Sequence, residues 1–195
     1  MSKRDPMGQV EAEVKACRKC GLWNQRKNAV PGEGNLDAAV MLIGEAPGYW
    51  EDVKGRPFVG AAGKILDEML SKAGISRSDV YITNVVKCRP PENRDPQNSE
   101  IETCTPYLDR QIKIVKPKFI VTLGRHAASY ILAKAGIETE SITKIHGKVY
   151  EANLFGFEVF IIPVYHPAAA LYNAKYLDEL YKDFQLLKLR LEGHG

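Results

Sequence analysis

Long apolar runs are missing from this 195-residue chain, and their absence excludes a helical membrane span, which needs roughly 20 consecutive apolar residues. No linker, low-complexity tract or internal repeat interrupts it either. That excludes solenoid arrays and leaves the expectation of a single domain over residues 1–195. Charge of one sign is not in large excess: a net charge of +3 permits nucleic-acid binding without arguing for it. The polar stretch Met1 to Gln9 lacks the apolar centre of a signal sequence, so the expected compartment is the cytoplasm, away from membranes. A phosphate loop is missing as well. Gly60-Ala-Ala-Gly63-Lys64 comes near one, but a Walker A pattern requires Gly at position 58 and Ser or Thr at 65, where the chain has Phe58 and Ile65. What remains, 45% hydrophobic and 26% charged residues, is the composition of a soluble fold with a sizeable core.

Cysteine is scarce, and its four occurrences are patterned: Cys17 and Cys20 in a CxxC pair, then Cys88 and Cys104. In a reducing compartment two disulfides are disfavoured, whereas four thiolates converging on a soft metal or an iron–sulfur cluster are consistent with the pattern. Arg18 and Lys19, between the first pair, suit a negatively charged centre. Spacing alone does not separate zinc from [4Fe–4S], nor does it dispose of four unrelated buried or surface thiols. A thioredoxin-like redox pair fits less well, because Cys17-Arg-Lys-Cys20 does not follow a strand pattern.

The periodicity alternates strand and helix. Apolar runs at Ala39–Ile43, Val80–Asn84, Phe119–Leu123 and Val159–Tyr165 read as buried strands. Between and after them, helical stripes run through Ala61–Ala73, from a cap at Asn98 or Ser99 (with Glu102 completing a box from Ser99) to Val115, from His126 to Ala135, and from Leu177 to Leu191. A further short helix is expected over residues 9–19, leading into the first cysteine pair. Trp23–Gly34 and Tyr49–Gly60 read as loops, and 136–157 as loop with weak strand pieces such as Val149-Tyr150 and Leu154-Phe155 around Asn153 and Gly156. The order β-α-β-α-β-α-β-α predicts an α/β fold, a three-layer α/β/α domain with a central four-stranded parallel sheet.

In such a sheet ligands bind outside the carboxyl ends of the strands. The first strand ends on Gly44-Glu45-Ala46-Pro47-Gly48, a shaped turn with one ionisable group, the second on Asn84, and the fourth on His166. Each has a bland reading as a turn former or solvated side chain. Their delivery to one edge makes a site. Phe58, between Pro57 and Val59-Gly60, lies in a Gly/Pro loop and is expected to be exposed; His126, opening the third helix, is expected to be solvated.

With these residues assembled, the chain resembles the uracil-DNA glycosylases of the family-4 type found in thermophiles. The resemblance covers nearly its whole length: the CxxC pair, Gly44-Glu-Ala-Pro-Gly48, Gly55-Arg-Pro-Phe-Val-Gly60, Ile82-Thr-Asn-Val-Val-Lys-Cys-Arg-Pro-Pro91 and Tyr165-His-Pro167. It implies DNA repair by excision of uracil from single- or double-stranded DNA, action as a monomer, and a [4Fe–4S] cluster on Cys17, Cys20, Cys88 and Cys104. A sliding clamp is a further partner that the sequence leaves open.

The resemblance also implies roles. The base must be flipped from the stack into a pocket, where Phe58 would stack on it and Asn84 would read uracil O4 and N3–H. His166, with the backbone near Ala46, would stabilise the anion on the departing base. In family 1 the turn carries an Asp that positions water. Here Ala46 stands in that place, and Glu45, one residue earlier, is the implied substitute. Gly48 stands where family 1 has the Tyr that excludes the thymine methyl, leaving Glu51 or Tyr49 to fill that space. Gly44, Glu45, Ala46, Phe58, Asn84 and His166 form the candidate substrate site, with Leu171 as the wedge that enters the duplex, against the alternative that it packs under the closing helix. Lys87, Arg89 and Arg94 are candidates for phosphate contacts near the cysteine loop, against the alternative that they are simply solvated. Two competing readings, a metal-stapled nucleic-acid-binding module and an iron–sulfur electron-transfer protein, would lack the excision activity.

Overall fold

The computed structural model describes residues 2–193. The chain opens with α1 (Arg4–Ala16) and a short turn of 3-10 helix at Gly21–Asn24, then reaches β1 (Glu33–Gly34), β2 (Val40–Gly44), α2 (Tyr49–Lys54) and α3 (Ala61–Lys72). It continues through β3 (Tyr81–Asn84), α4 (Asn98–Val115), β4 (Phe119–Leu123), α5 (Arg125–Lys134) and α6 (Ile142–Ile145). It closes with the hairpin of β5 (Tyr150–Leu154) and β6 (Phe157–Val164), a 3-10 turn at Pro167–Leu171, and α7 (Ala174–Glu192). No helix among the described residues is long and apolar enough to cross a membrane.

The sheet has six strands in the order β1-β3-β2-β4-β6-β5. The expected parallel four, β3-β2-β4-β6, form its centre. Two antiparallel strands extend it: β1, which was not foreseen, pairs with β3, and β5, which joins the weak strand pieces expected around Tyr150 and Leu154 into one strand, pairs with β6. Both are edge strands with partly exposed residues, so they lack the continuous apolar run that marks the inner strands. Residues 49–54 form a helix rather than loop, α1 starts at Arg4 rather than near residue 9, and α4 is boxed two residues earlier than expected. There Glu100 accepts the Gln97 backbone N–H at 2.8 Å.

Alternation along the inner strands sorts the helices into two layers. Met41, Ile43, Tyr81, Ile120 and Ile161 pack against α1, α4 and α5 through residues such as Val10, Leu108, Ile112 and Ile131. Val40, Leu42, Ile82, Val121 and Ile162 face α3 and α7, where Leu66, Met69, Leu180 and Phe184 fill the opposite half of the core. The register places Gly44 beside Asn84, so the two strand ends that carry candidate residues finish level.

One polar network is sealed inside. Lys87 is 1% exposed, and its ammonium donates to Thr83 Oγ1, Asn84 O and Gln111 Oε1 at 2.6–2.7 Å. Gln111 Nε2 donates in turn to the Pro31 carbonyl at 2.8 Å. Lys87 is therefore not a phosphate contact; burial pushes its pKa down to about 7. A buried donor or acceptor left unpaired costs about 1–3 kcal/mol. Gln111→Met, which keeps the side chain's length and removes both functions, should lower unfolding free energy by about that much per orphaned group. Guanidinium titration measures it, and an unchanged midpoint would mean that the network adds nothing to stability.

Candidate active site

The carboxyl ends of the inner strands enclose a pocket of about 360 Å³. The turn after β2 supplies Glu45, Ala46, Pro47 and Gly48; α2 supplies Glu51. Phe58 comes from the loop before α3, Asn84 from the end of β3, and His166 from the segment after β6. The structure thus brings together every substrate-site residue expected from the sequence except Gly44, which lies directly behind them. A Cβ on Gly44 would collide with Asn84 Oδ1 and approach the Phe58 ring to 2.6 Å. The bare backbone there is what lets these two side chains meet.

Phe58 is not exposed as expected but 5% accessible, with φ at +48°. Arg77 holds its loop, donating to the Phe58 and Pro57 carbonyls at 3.0 and 2.6 Å, and the loop turns the ring inward. It lies 5.7 Å from the His166 ring, nearly parallel to it. Asn84 is 1% exposed, and its Oδ1 is shielded from solvent with no hydrogen-bond partner. An orphaned acceptor of this kind is rare in a folded core and marks a group held ready for a ligand donor.

His166 Nδ1 accepts the Ala168 backbone N–H at 3.1 Å. In the neutral ring the proton therefore sits on Nε2, which is left as a donor. Burial drives the His166 pKa down to about 4, with only Glu51 opposing it, so the ring is neutral at physiological pH. Glu45 shows the opposite displacement: burial raises its pKa, while His126, then Arg125, pull it back and Asp95 adds to the rise.

Of the two candidates for the space beside Gly48, Glu51 occupies it. Its Oε2 would lie 2.8 Å from a Cβ on Gly48, and its Oε1 accepts the Val59 and Gly60 N–H groups at 3.0 and 2.9 Å. Tyr49 turns away, its ring facing Lys27 and Arg89. Leu171 does not pack under the closing helix: it is 46% exposed, next to Tyr172 at 90%. Arg94 is engaged by Glu100 through two contacts of 2.9 and 2.7 Å, and Arg89 Nε donates to Asn93.

The sequence reading missed Asn93, Asp95 and Pro96, which wall the pocket, and misjudged His126. The His126 ring is not solvated: its Nε2 is shielded, and its backbone N–H donates to Glu45 Oε1 at 3.3 Å. The missed signal was the edge itself, since β4 ends three residues before His126 just as β2 ends beside Glu45.

Away from the pocket, all four cysteines line one small cavity between α1, the loop after β3 and α4, and all are free thiols. Cys104 sits in the second turn of α4 rather than at its start. Arg26 Nη1 donates to Cys88 Sγ at 3.0 Å and the Lys87 N–H to Cys104 Sγ at 3.3 Å. Burial raises the pKa of both thiols, that of Cys104 to about 11.

A three-layer α/β domain with a preformed pocket at the carboxyl edge of its sheet, mostly apolar with a few convergent polar groups, has the form of a small-molecule binding site. A family model for the uracil DNA glycosylase superfamily matches residues 31–187, and the chain belongs to that superfamily. It is 52% identical over 190 residues to the Type-4 uracil-DNA glycosylase of Saccharolobus solfataricus, covering 97% of this chain and 88% of that one. The Type-4 uracil-DNA glycosylase of Sulfurisphaera tokodaii is 54% identical over 185 residues (94% and 84%), and that of Thermotoga maritima 45% over 172 (88% and 86%).

His166 gives a direct check on the geometry. A histidine whose pKa falls on folding binds less proton native than unfolded between its two pKa values, so its contribution to stability is lost as pH falls from about 6.5 towards 4. NMR titration of the ring should show it neutral down to about pH 5. A midpoint near the ordinary value would show that the ring is not held as described.

Proposed function

We propose that this protein is a uracil-DNA glycosylase that flips deoxyuridine out of DNA and hydrolyses its N-glycosidic bond, releasing uracil and leaving an abasic site for base excision repair. The observation that carries the reading is the buried, unpartnered Asn84 Oδ1 beside the inward Phe58 ring. A uracil stacked on Phe58 would offer its N3–H to that oxygen, and the Asn84 amide would donate to O4. Cytosine presents the reverse pattern and would leave both groups unpaired. Glu51, beside Gly48, occupies the space towards which a thymine methyl would project.

The bond breaks with its electrons passing to the base. The charge that develops on uracil O2 and N1 would be met by the neutral His166 Nε2–H, a donor that need not give up its proton to stabilise an anion. Glu45 is the group to orient water and accept its proton as the oxygen bonds to the sugar carbon, and its raised pKa suits a base. Ala46 and Gly44 supply backbone at close range. Leu171, exposed at the rim, is the wedge for the gap left by the flipped nucleotide, with Tyr172 beside it. The activity is read as that of a single domain acting as a monomer.

Cys17, Cys20, Cys88 and Cys104 would hold a [4Fe–4S] cluster; their convergence on one cavity and the donors that Arg26 and the Lys87 backbone direct at two of the sulfurs support it. Bound there, the cluster supplies a structural staple joining α1, the loop after β3 and α4, since hydrolysis moves no electrons. Purified anaerobically, the protein should be yellow-brown with about four irons per chain. Stoichiometric zinc without acid-labile sulfide would refute the assignment.

Release of free uracil from a uracil-containing oligonucleotide tests the activity itself. A protein that binds this DNA and releases nothing would be a nucleic-acid-binding module instead. Asn84→Asp, which exchanges the donor to O4 for a second acceptor, should lower uracil excision by about 10-fold or more and raise cytosine excision relative to uracil. An unchanged ratio on matched oligonucleotides would mean that Asn84 does not read the base.

A further inference from the structure

Glu45 does not face the pocket alone. Behind it, two segments that are distant in sequence bring a carboxylate, an imidazole and a guanidinium together. Oxygens of Glu45 and Asp95 and a ring nitrogen of His126 lie within 4.8 Å of one another. His126 Nε2 is shielded from solvent, makes no hydrogen bond, and stands 3.6 Å from Asp95 Oδ2. Arg125 Nη2 pairs with that same Asp95 oxygen. The cluster is also tightly packed. Gly124, at φ +95°, has no side chain, and a Cβ there would strike Glu45 Oε1 and come within 3.1 Å of His166 Cβ.

We propose that the His126 ring and the Asp95 carboxylate act as opposed positioning residues on Glu45, together setting the pH at which this enzyme hydrolyses its substrate. The inference rests on the reading of Glu45 as the group that activates water. A protonated imidazole beside a carboxylate favours its ionised form, and a second carboxylate disfavours it. The remaining charged groups facing Glu45 fit this division: Arg125 acts with His126 on the carboxylate, and His166 is neutral at physiological pH. Burial alone would hold Glu45 protonated to higher pH, where it could not accept a proton from water. The His126 side offsets that penalty. Asp95 restrains the offset, because a carboxylate too strongly stabilised is a poor base.

The test is the acid limb of single-turnover uracil excision, measured with saturating single-stranded substrate across a pH series. His126→Gln keeps the backbone N–H that Glu45 accepts and removes only the ring. It should move the acid limb about one unit to higher pH. Asp95→Asn removes the opposing charge and frees Arg125, which acts in the same sense, so its limb should move to lower pH. A purely structural role would lower the plateau rate in both variants without separating the limbs. Thermal melting of each variant separates loss of fold from loss of control. Limbs that coincide with the wild type, or that move in the same direction, overturn the inference. Glu45→Gln is the control for the underlying reading. If it excises uracil at the wild-type rate, Glu45 does not activate water and the inference falls with it. If it is inactive while the two limbs coincide, only the present inference fails.

Discussion

The pocket depends on a missing side chain. Strand β2 ends at Gly44 level with Asn84 on β3, and no residue with a Cβ fits between the Asn84 amide and the Phe58 ring. Because strands in a sheet lie about 4.8 Å apart, a side chain at a strand end ordinarily fills the space above its neighbour. At Gly44 that space is taken instead by the Asn84 amide and the Phe58 ring, and the inward Phe58 loop, fastened by Arg77, closes one wall of the pocket. Everything polar is then arranged around this slot: an acceptor from β3, a donor from the segment after β6, and a carboxylate from the turn after β2.

The cysteine cluster and Asn84 are mechanically continuous. After Asn84 the chain pairs with the β2 exit through Val85 N–H to Gly44 O at 2.9 Å and Val86 N–H to Glu45 O at 3.1 Å. Lys87 then reaches back to the Asn84 carbonyl, and Cys88 follows immediately. Any group held by the four thiols therefore fixes the far end of a segment whose near end carries Asn84 and braces Glu45. A staple at that distance need not touch substrate to matter, because the geometry it preserves is that of the strand ends.

The inner strands, the helices that cross between them and the convergence of Glu45, Asn84 and His166 were all legible in the sequence, because each rests on a local pattern: a β-branched run, a helical stripe, a polar residue at a strand's exit. The rest depended on contacts between distant segments. Phe58 looked exposed because Gly and Pro flank it, and only the guanidinium of Arg77 turns it inward. Lys87 looked solvated because lysine usually is, and only Thr83 and Gln111 give it acceptors. Asp95 and His126 bear on Glu45 from two other segments, a relation no window of sequence contains. Of the short edge strands β1 was missed and β5 seen only as weak pieces, because outward-facing residues erase the apolar run.

Those edge strands matter beyond architecture. A parallel sheet of four buried, β-branched strands would present unpaired backbone groups on both flanks, an invitation to add strands from another molecule. β1 closes one flank with only two residues, ending at Gly34, where the backbone runs so close to Val80 and Tyr81 that no side chain fits. β5 closes the other with an outward face carrying Glu151 and Asn153. Too short on one side and too polar on the other to template a neighbour, they make the sheet a terminated lattice, and a chain that exposes it briefly while refolding has little edge along which to aggregate.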